Sequence, residues 1–298
     1  MKLFFFGNCI LNSFKWNLRE ECFDGVFCIE SFNANGEEVK DFISQVGHSD
    51  ALVMQPHSSR LSKFHHYSWI ISQLPNTKVV SLPSPFLNIY NPLEFNPKSL
   101  ININQGFHLA DAIIYLDPLM ALFIIDSKSI DISSSDYIDF IDRFPSGFWD
   151  ILASSSLNSF KKLENLEKER NCTVLLSQVV KESYKKFQVM KTINHPSNEL
   201  CNFMIQAIAN QLDLSQDSWR ERYDYFPEYR STIYTQMHSR LNLQFAMTTH
   251  EDIDEKFNIL KCFLAELPEQ LLNNLREEIF EHLNSIGVSS FVKAHEFY

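Results

Sequence analysis

Glycine is scarce, with 7 in 298 residues. A barrel or sandwich rich in glycine turns is thereby disfavoured, and helices around a modest sheet are favoured. Basic charge is short as well: 26 Lys and Arg stand against 37 Asp and Glu, for a net charge of −11. Nonspecific nucleic-acid binding runs on Lys and Arg that neutralise phosphates, so that class is disfavoured. A local basic pocket for a phosphorylated cofactor stays compatible with this balance. No apolar run reaches the roughly 18 residues of a membrane-spanning helix. The apolar run Leu3–Phe6 is also far shorter than the ~7–15 residues of a secretory leader core. Asn8, Asn12, Lys15, Asn17 and Arg19 follow it at once. The amino end therefore reads as a buried first strand, and a cytoplasmic protein is the expectation.

Metal and nucleotide motifs are missing too. The cysteines, Cys9, Cys22, Cys28, Cys172, Cys201 and Cys262, form no CxxC pair, and no His pattern completes a zinc site. They are expected to be free thiols, most of them small buried hydrophobes, with no metal bound. There is no GxGxxG, no Walker sequence and no HExxH, which disfavours nucleotide-dependent phosphoryl transfer and hydride transfer. The GxSxG elbow of serine hydrolases is absent as well.

What is present is apolar bulk: 45% hydrophobic residues and 26 Phe, enough for a sizeable core. Short apolar runs at 2–6, 26–29, 51–54 and 78–82 read as strands. Helical patterns at 10–21, 37–46 and 64–74 separate them. Strands alternating with helices imply βαβ units and a mostly parallel sheet. A long irregular segment follows at 83–108, with Pro83, Pro85, Pro92 and Pro97. Helices are expected at 108–124, 134–143, 147–170 and 173–185. The 147–170 helix carries Lys161, Lys162, Glu164, Glu167, Lys168 and Glu169, read as a solvated face. Phe187–Lys191 reads as a further strand, and Ser197 as the cap of a helix to about Leu212. The remainder is helical and charged. The expected layout is α/β, a mostly parallel sheet flanked by helices over 1–212, with a helical C-terminal region at 213–298.

Three segments carry chemistry. In Gly7-Asn8-Cys9 a strand ends, the glycine permits a tight turn, and a thiol lands at a helix N-terminus. Unpaired N–H groups and the helix dipole there favour the thiolate, so a lowered pKa is the expectation. The same N–H groups suit an oxyanion. A buried cap residue is the competing reading of Cys9. In Asn194-His195-Pro196-Ser197 the His lies between a strand and a helix, at the carboxyl edge where open α/β sheets hold their sites. It is placed to take and return the thiol proton; a structural His is the alternative. Third, Gln55-Pro56-His57 follows the third strand on the same edge. Gln55 suits an oxyanion, His57 is a rival base, and Arg60 and Lys63 suit a phosphate or are ordinary surface charges. His65-His66 completes no ligand set.

The order of these pieces resembles SGNH/GDSL hydrolases at a distance. There a Gly-Asp-Ser carries the nucleophile and a late Asp-x-x-His-Pro carries the base. Cys9 stands for the serine, Asn8 for the aspartate, and Thr192 where the late Asp belongs. The acidic orienter is therefore missing, which argues against simple ester hydrolysis.

The pattern more closely resembles the WcbI family of capsular-polysaccharide biosynthesis enzymes. The matching stretches are Phe5–Cys9, Gln55, the Pro-rich segment after Leu82, and Asn194–Ser197, spread over 1–212. That resemblance implies coenzyme A (acetyl-CoA) as co-substrate and acetyl transfer to a surface sugar. On it, Cys9 is the nucleophile, His195 the base, and Asn8 and Gln55 the oxyanion donors. Gly7, His57, Arg60 and Asn194 are the implied cofactor contacts. The acceptor is a sugar or polysaccharide precursor, with association to an assembly complex. Two alternatives stand beside it: a thiol esterase of the SGNH type, and a non-catalytic sugar-binding module that docks through its acidic C-terminal third.

Overall fold

The computed structural model describes residues 1–56, 62–101, 115–127, 131–220 and 231–294. The strands β1 (Lys2–Gly7), β2 (Gly25–Glu30), β3 (Ala51–Met54) and β4 (Lys78–Ser81) form a four-stranded sheet in the order β2-β1-β3-β4. Every pairing is parallel. Helices α1 (Cys9–Lys15), α2 (Gly36–Ser44) and α3 (Tyr67–Gln73) make the crossovers. The α/β reading with a mostly parallel sheet therefore holds.

Alternation along the strands sorts two faces. Phe4 and Phe6 of β1 pack with Leu52 and Met54 of β3 against Val39, Phe42 and Ile43 of α2 and Ile70 of α3. The intervening Leu3, Phe5, Ala51 and Val53 turn the other way and are equally buried. Burial on both faces is why these strands read as unbroken apolar runs rather than alternating ones. Each buried Phe contributes about 1.5–3 kcal/mol.

The chain divides into two compact units, each discontinuous in sequence. The first is 1–86, 160–183 and 194–227; the second is 87–159, 184–193 and 228–298. The sequence reading placed continuous stretches, 1–212 and 213–298, instead. The first unit holds the sheet, α8 (Leu176–Ser183) and α9 (Asn198–Leu212). The second holds α4 (Lys98–Ile101), α5 (Pro118–Ser127), α6 (Ser134–Asp142), α10 (Thr235–Leu241), α11 (His250–Ala265), α12 (Glu269–Ile286) and α13 (Ser289–Ala294). The long α7 (Ser146–Glu169) contributes its early residues to the second and its later ones to the first.

Several expectations are corrected. Helix α1 stops at Lys15 rather than 21, because the backbone of Asn17 and Arg19 bonds that of Arg220 and Ser218 instead. Phe187–Lys191 is not a strand. Its Val189 N–H donates to the Tyr90 hydroxyl at 2.9 Å, and its Lys191 carbonyl accepts from Ser231 N–H at 2.5 Å, so no ladder forms. Glu167 is not on a solvated face: it is buried, and its Oε1 accepts from the N–H groups of Leu176 and Ser177 at 2.6 and 2.8 Å, capping α8. Of the six free cysteines only Cys201 is buried. The start of the 108–124 helix lies outside the described residues; α5 begins at Pro118, capped by Asp117.

With glycine scarce, the left-handed backbone among the described residues falls to Asn171, Asp213 and Asn242, at φ 50°, 55° and 52°, besides Gly287 at 89°. Asp213 and Asn242 follow helices α9 and α10 there. Asn and Asp tolerate that region best after Gly. No described helix is long and apolar enough to cross a membrane.

Candidate active site

The parallel register brings the ends of β1, β3 and β4 level, since Phe6 pairs with Met54 and Met54 with Ser81. The ladder continues one step: Gln55 N–H donates to Phe6 O at 2.9 Å and Leu82 N–H to Met54 O at 3.0 Å. Asn8, Gln55 and Ser84 therefore emerge at one carboxyl edge.

Asn8 is buried and caps α1, its Oδ1 accepting from Ile10 N–H at 3.0 Å. Its own N–H donates to Gln55 Oε1 at 2.9 Å, and its Nδ2 to Ser84 Oγ at 2.8 Å. Asn8 is thus tied to two neighbouring strand ends, and among the described residues one Nδ2 proton is left uncommitted. Gln55 is 1% exposed, and among the described residues its Nε2 has no hydrogen-bond partner. A buried amide donor left open costs roughly 1–3 kcal/mol.

Gly7 is explained by packing. A Cβ there would come within 2.6 Å of Gln55 Oε1 and 2.7 Å of Leu11 Cδ1. Its carbonyl accepts from Ser31 N–H at 2.8 Å and Ser31 Oγ at 3.0 Å.

Cys9 follows at the first position of α1, and its side chain reaches solvent. Its Sγ stands 4.0 Å from His195 Nε2. Two segments 186 residues apart thus meet as a thiol–imidazole pair. His195 owes its place to the 194–197 turn, where Ser197 caps α9 by accepting from Leu200 N–H at 3.3 Å. Asn194, beside it, is half-buried.

The thiol does not behave as the helix-terminus argument expects. Burial raises its pKa and the Glu30 carboxylate raises it further; the N–H groups of Cys9 and Ile10 lower it by less. The turn carrying Cys9 opens a helix of 7 residues, and its N–H groups do not outweigh the enclosure. The balance at Cys9 thus favours the thiol more than a helix N-terminus alone would.

Glu30 went unnoticed in the sequence. It ends β2 opposite Gly7, held by Asn12 Nδ2 at 2.9 Å and Asn33 Nδ2 at 2.7 Å. Ser84 and Arg170 were missed as well. The strand-end rule that found Gln55 could have found Glu30 and Ser84; nothing in the sequence sets Arg170 apart within a charged helix. His57 and Arg60 lie outside the described residues. His65 and His66 bond Ser62 and Ser68 through Nδ1, at 2.7 and 2.6 Å. Among the described residues no group of three His, Cys, Asp or Glu is placed to hold a metal.

Fold and pair together define an α/β protein with a thiol–imidazole site at the carboxyl edge of a parallel sheet. The family model of the polysaccharide biosynthesis enzyme WcbI matches residues 150–217, the stretch that includes Arg170 and His195. A solved structure of WcbI shares the fold, with a TM-score of 0.68 over 99% of this chain and 99% of that one, at 12% identity. It is described as the native protein without a disulfide bond between coenzyme A and one of its cysteines. Comparison with curated proteins finds no match.

Proposed function

We propose that this protein transfers an acetyl group from a coenzyme A thioester to a hydroxyl of a capsular or other surface sugar, with Cys9 as nucleophile and His195 as general base. The observation that carries the reading is the 4.0 Å approach of Sγ to Nε2. The WcbI likeness adds the polysaccharide setting and the link to coenzyme A.

His195 Nε2 takes the Sγ proton as Sγ attacks the acyl carbonyl. Gln55 Nε2, buried and unpartnered, donates to the developing oxyanion. Asn8 holds Gln55 and Ser84 in place, and its remaining Nδ2 proton is a second donor. The carbon–sulfur bond to the cofactor then breaks, and His195 returns its proton to the leaving thiol. This leaves acetyl-Cys9. The sugar hydroxyl attacks that thioester, His195 accepts its proton, and Cys9 Sγ recovers it on release. Asn194, next to His195, is the cofactor contact on this reading, whereas Gly7 is buried against Gln55 and Leu11.

The test is acetyl transfer to candidate sugar acceptors by the wild type, Cys9→Ala and His195→Ala. General-base loss is expected to cost about 10²–10⁴-fold, and Cys9→Ala at least as much. Transfer by both variants at the wild-type rate would remove this mechanism.

A further inference from the structure

We infer that Arg170 anchors a phosphoryl group of the cofactor beside the Cys9–His195 pair; the inference rests on the coenzyme A reading above. Arg170 directly follows α7, and its NH1 donates to the carbonyl of Pro56 at 2.5 Å. Pro56 directly follows Gln55, whose Oε1 holds Asn8 N–H one residue before Cys9. The guanidinium is therefore bound to the backbone just past the end of β3, the strand that pairs with the one leading to Cys9.

The cation is half-buried, and no carboxylate stands within salt-bridge distance of it among the described residues. Burial lowers its pKa, with Glu169 and Cys172 acting the other way. Its remaining N–H groups form a planar fork suited to phosphate oxygens. Taking a charge partly out of water without a counter-ion is costly, so such a cation points to an anionic ligand.

The backbone around it is built to stay put. Ser81 and Thr173 staple the segment after α7 to the end of β4. Ser81 N–H donates to Thr173 Oγ1 at 3.0 Å, and Thr173 and Val174 N–H donate to Ser81 O at 2.8 and 2.9 Å. Ser81 Oγ also donates to the carbonyl of Asn171, which holds φ 50°. In a chain of net charge −11, an anionic cofactor needs a fixed cation where it enters.

The test titrates coenzyme A, dephospho-coenzyme A and pantetheine into the wild type and Arg170→Met by calorimetry. Coenzyme A affinity is expected to fall at least tenfold in the variant while pantetheine affinity is unchanged. An equal fall for dephospho-coenzyme A assigns Arg170 to the pyrophosphate; a smaller one assigns it to the 3′-phosphate. Unchanged coenzyme A affinity, or an equal loss for pantetheine, overturns the inference and leaves the coenzyme A reading standing. Failure of the wild type to bind any of the three removes both. Should Arg170→Met not fold, phenylglyoxal modification of the wild type replaces it. Coenzyme A is expected to protect Arg170 in peptide maps, and absence of protection overturns the inference.

Discussion

The two compact units differ in where their buried polar groups gather. In the second unit, a buried carboxylate faces a buried ammonium. Glu94 and Lys256, 1% and 6% exposed, approach to 4.0 Å. Ser231 Oγ donates to Glu94 at 2.5 Å, and Lys256 Nζ to Thr232 Oγ1 at 2.6 Å. Nearby, Tyr137 and Tyr234 share a 2.6 Å bond, and Tyr234 donates to the buried Asp117. An aromatic cluster of Phe123, Phe140, Phe144, Phe148 and Trp149 surrounds Tyr137 and Tyr234 or packs next to them. In the first unit, polar groups gather at a sheet edge and are left open: the Gln55 amide, the Arg170 fork and the Cys9 thiol. Among the described residues both units hold buried polar atoms without a hydrogen-bond partner, Glu94 Oε1 and Trp149 Nε1 in the second and Gln55 Nε2 in the first, but only Gln55 stands at the sheet edge that carries Asn8.

The largest expected effect that sharpens this contrast is on stability. Removing one member of a buried ion pair costs about 3–5 kcal/mol, while replacing both with matched neutral groups is close to neutral. Lys256→Met is therefore expected to lower the Tm far more than the Glu94→Gln/Lys256→Met double variant, read by calorimetry. The pH dependence has a definite sign. Burial raises Glu94 to about 7, so the folded chain keeps a proton that the unfolded chain loses near 4.3. Stability on this account falls as pH rises between those values. Burial lowers Lys256 to about 8, so the unfolded chain holds the extra proton from there to about 10.4, and stability rises again. The double variant should flatten both limbs; limbs that persist in it would assign them to other groups.

A smaller effect is expected at the open edge. Glu30→Gln removes the carboxylate that raises Cys9, so the iodoacetamide alkylation profile of Cys9 should move to lower pH, with a several-fold faster rate at neutral pH. The exposed Cys262 serves as internal control and should not change. An unmoved Cys9 profile would mean that enclosure alone sets the thiol.

Much of this edge was legible in the sequence because parallel strands announce themselves as apolar runs and their carboxyl ends are level. That logic located Cys9 and Gln55. His195 was placed by a strand at 187–191 that does not exist, and it reaches Cys9 through the Ser197 cap and its turn instead. The thiol pKa was misjudged in direction, because a dipole argument is local whereas enclosure and Glu30 are tertiary. Glu167 shows the same limit: its spacing matches a solvated stripe, yet a neighbouring helix start captures its carboxylate. The discontinuous units were not legible either, since chain crossings between cores leave no mark in composition or period.

The account stands on one chemical event at Cys9. Wild-type protein mixed with acetyl-CoA without acceptor, quenched in acid and mapped by mass spectrometry, should carry one acetyl group on Cys9. The modification should be strongly slowed in His195→Ala and discharged on addition of a competent sugar. Acetyl transfer to sugar with Cys9 never modified, at any quench time, would contradict the account.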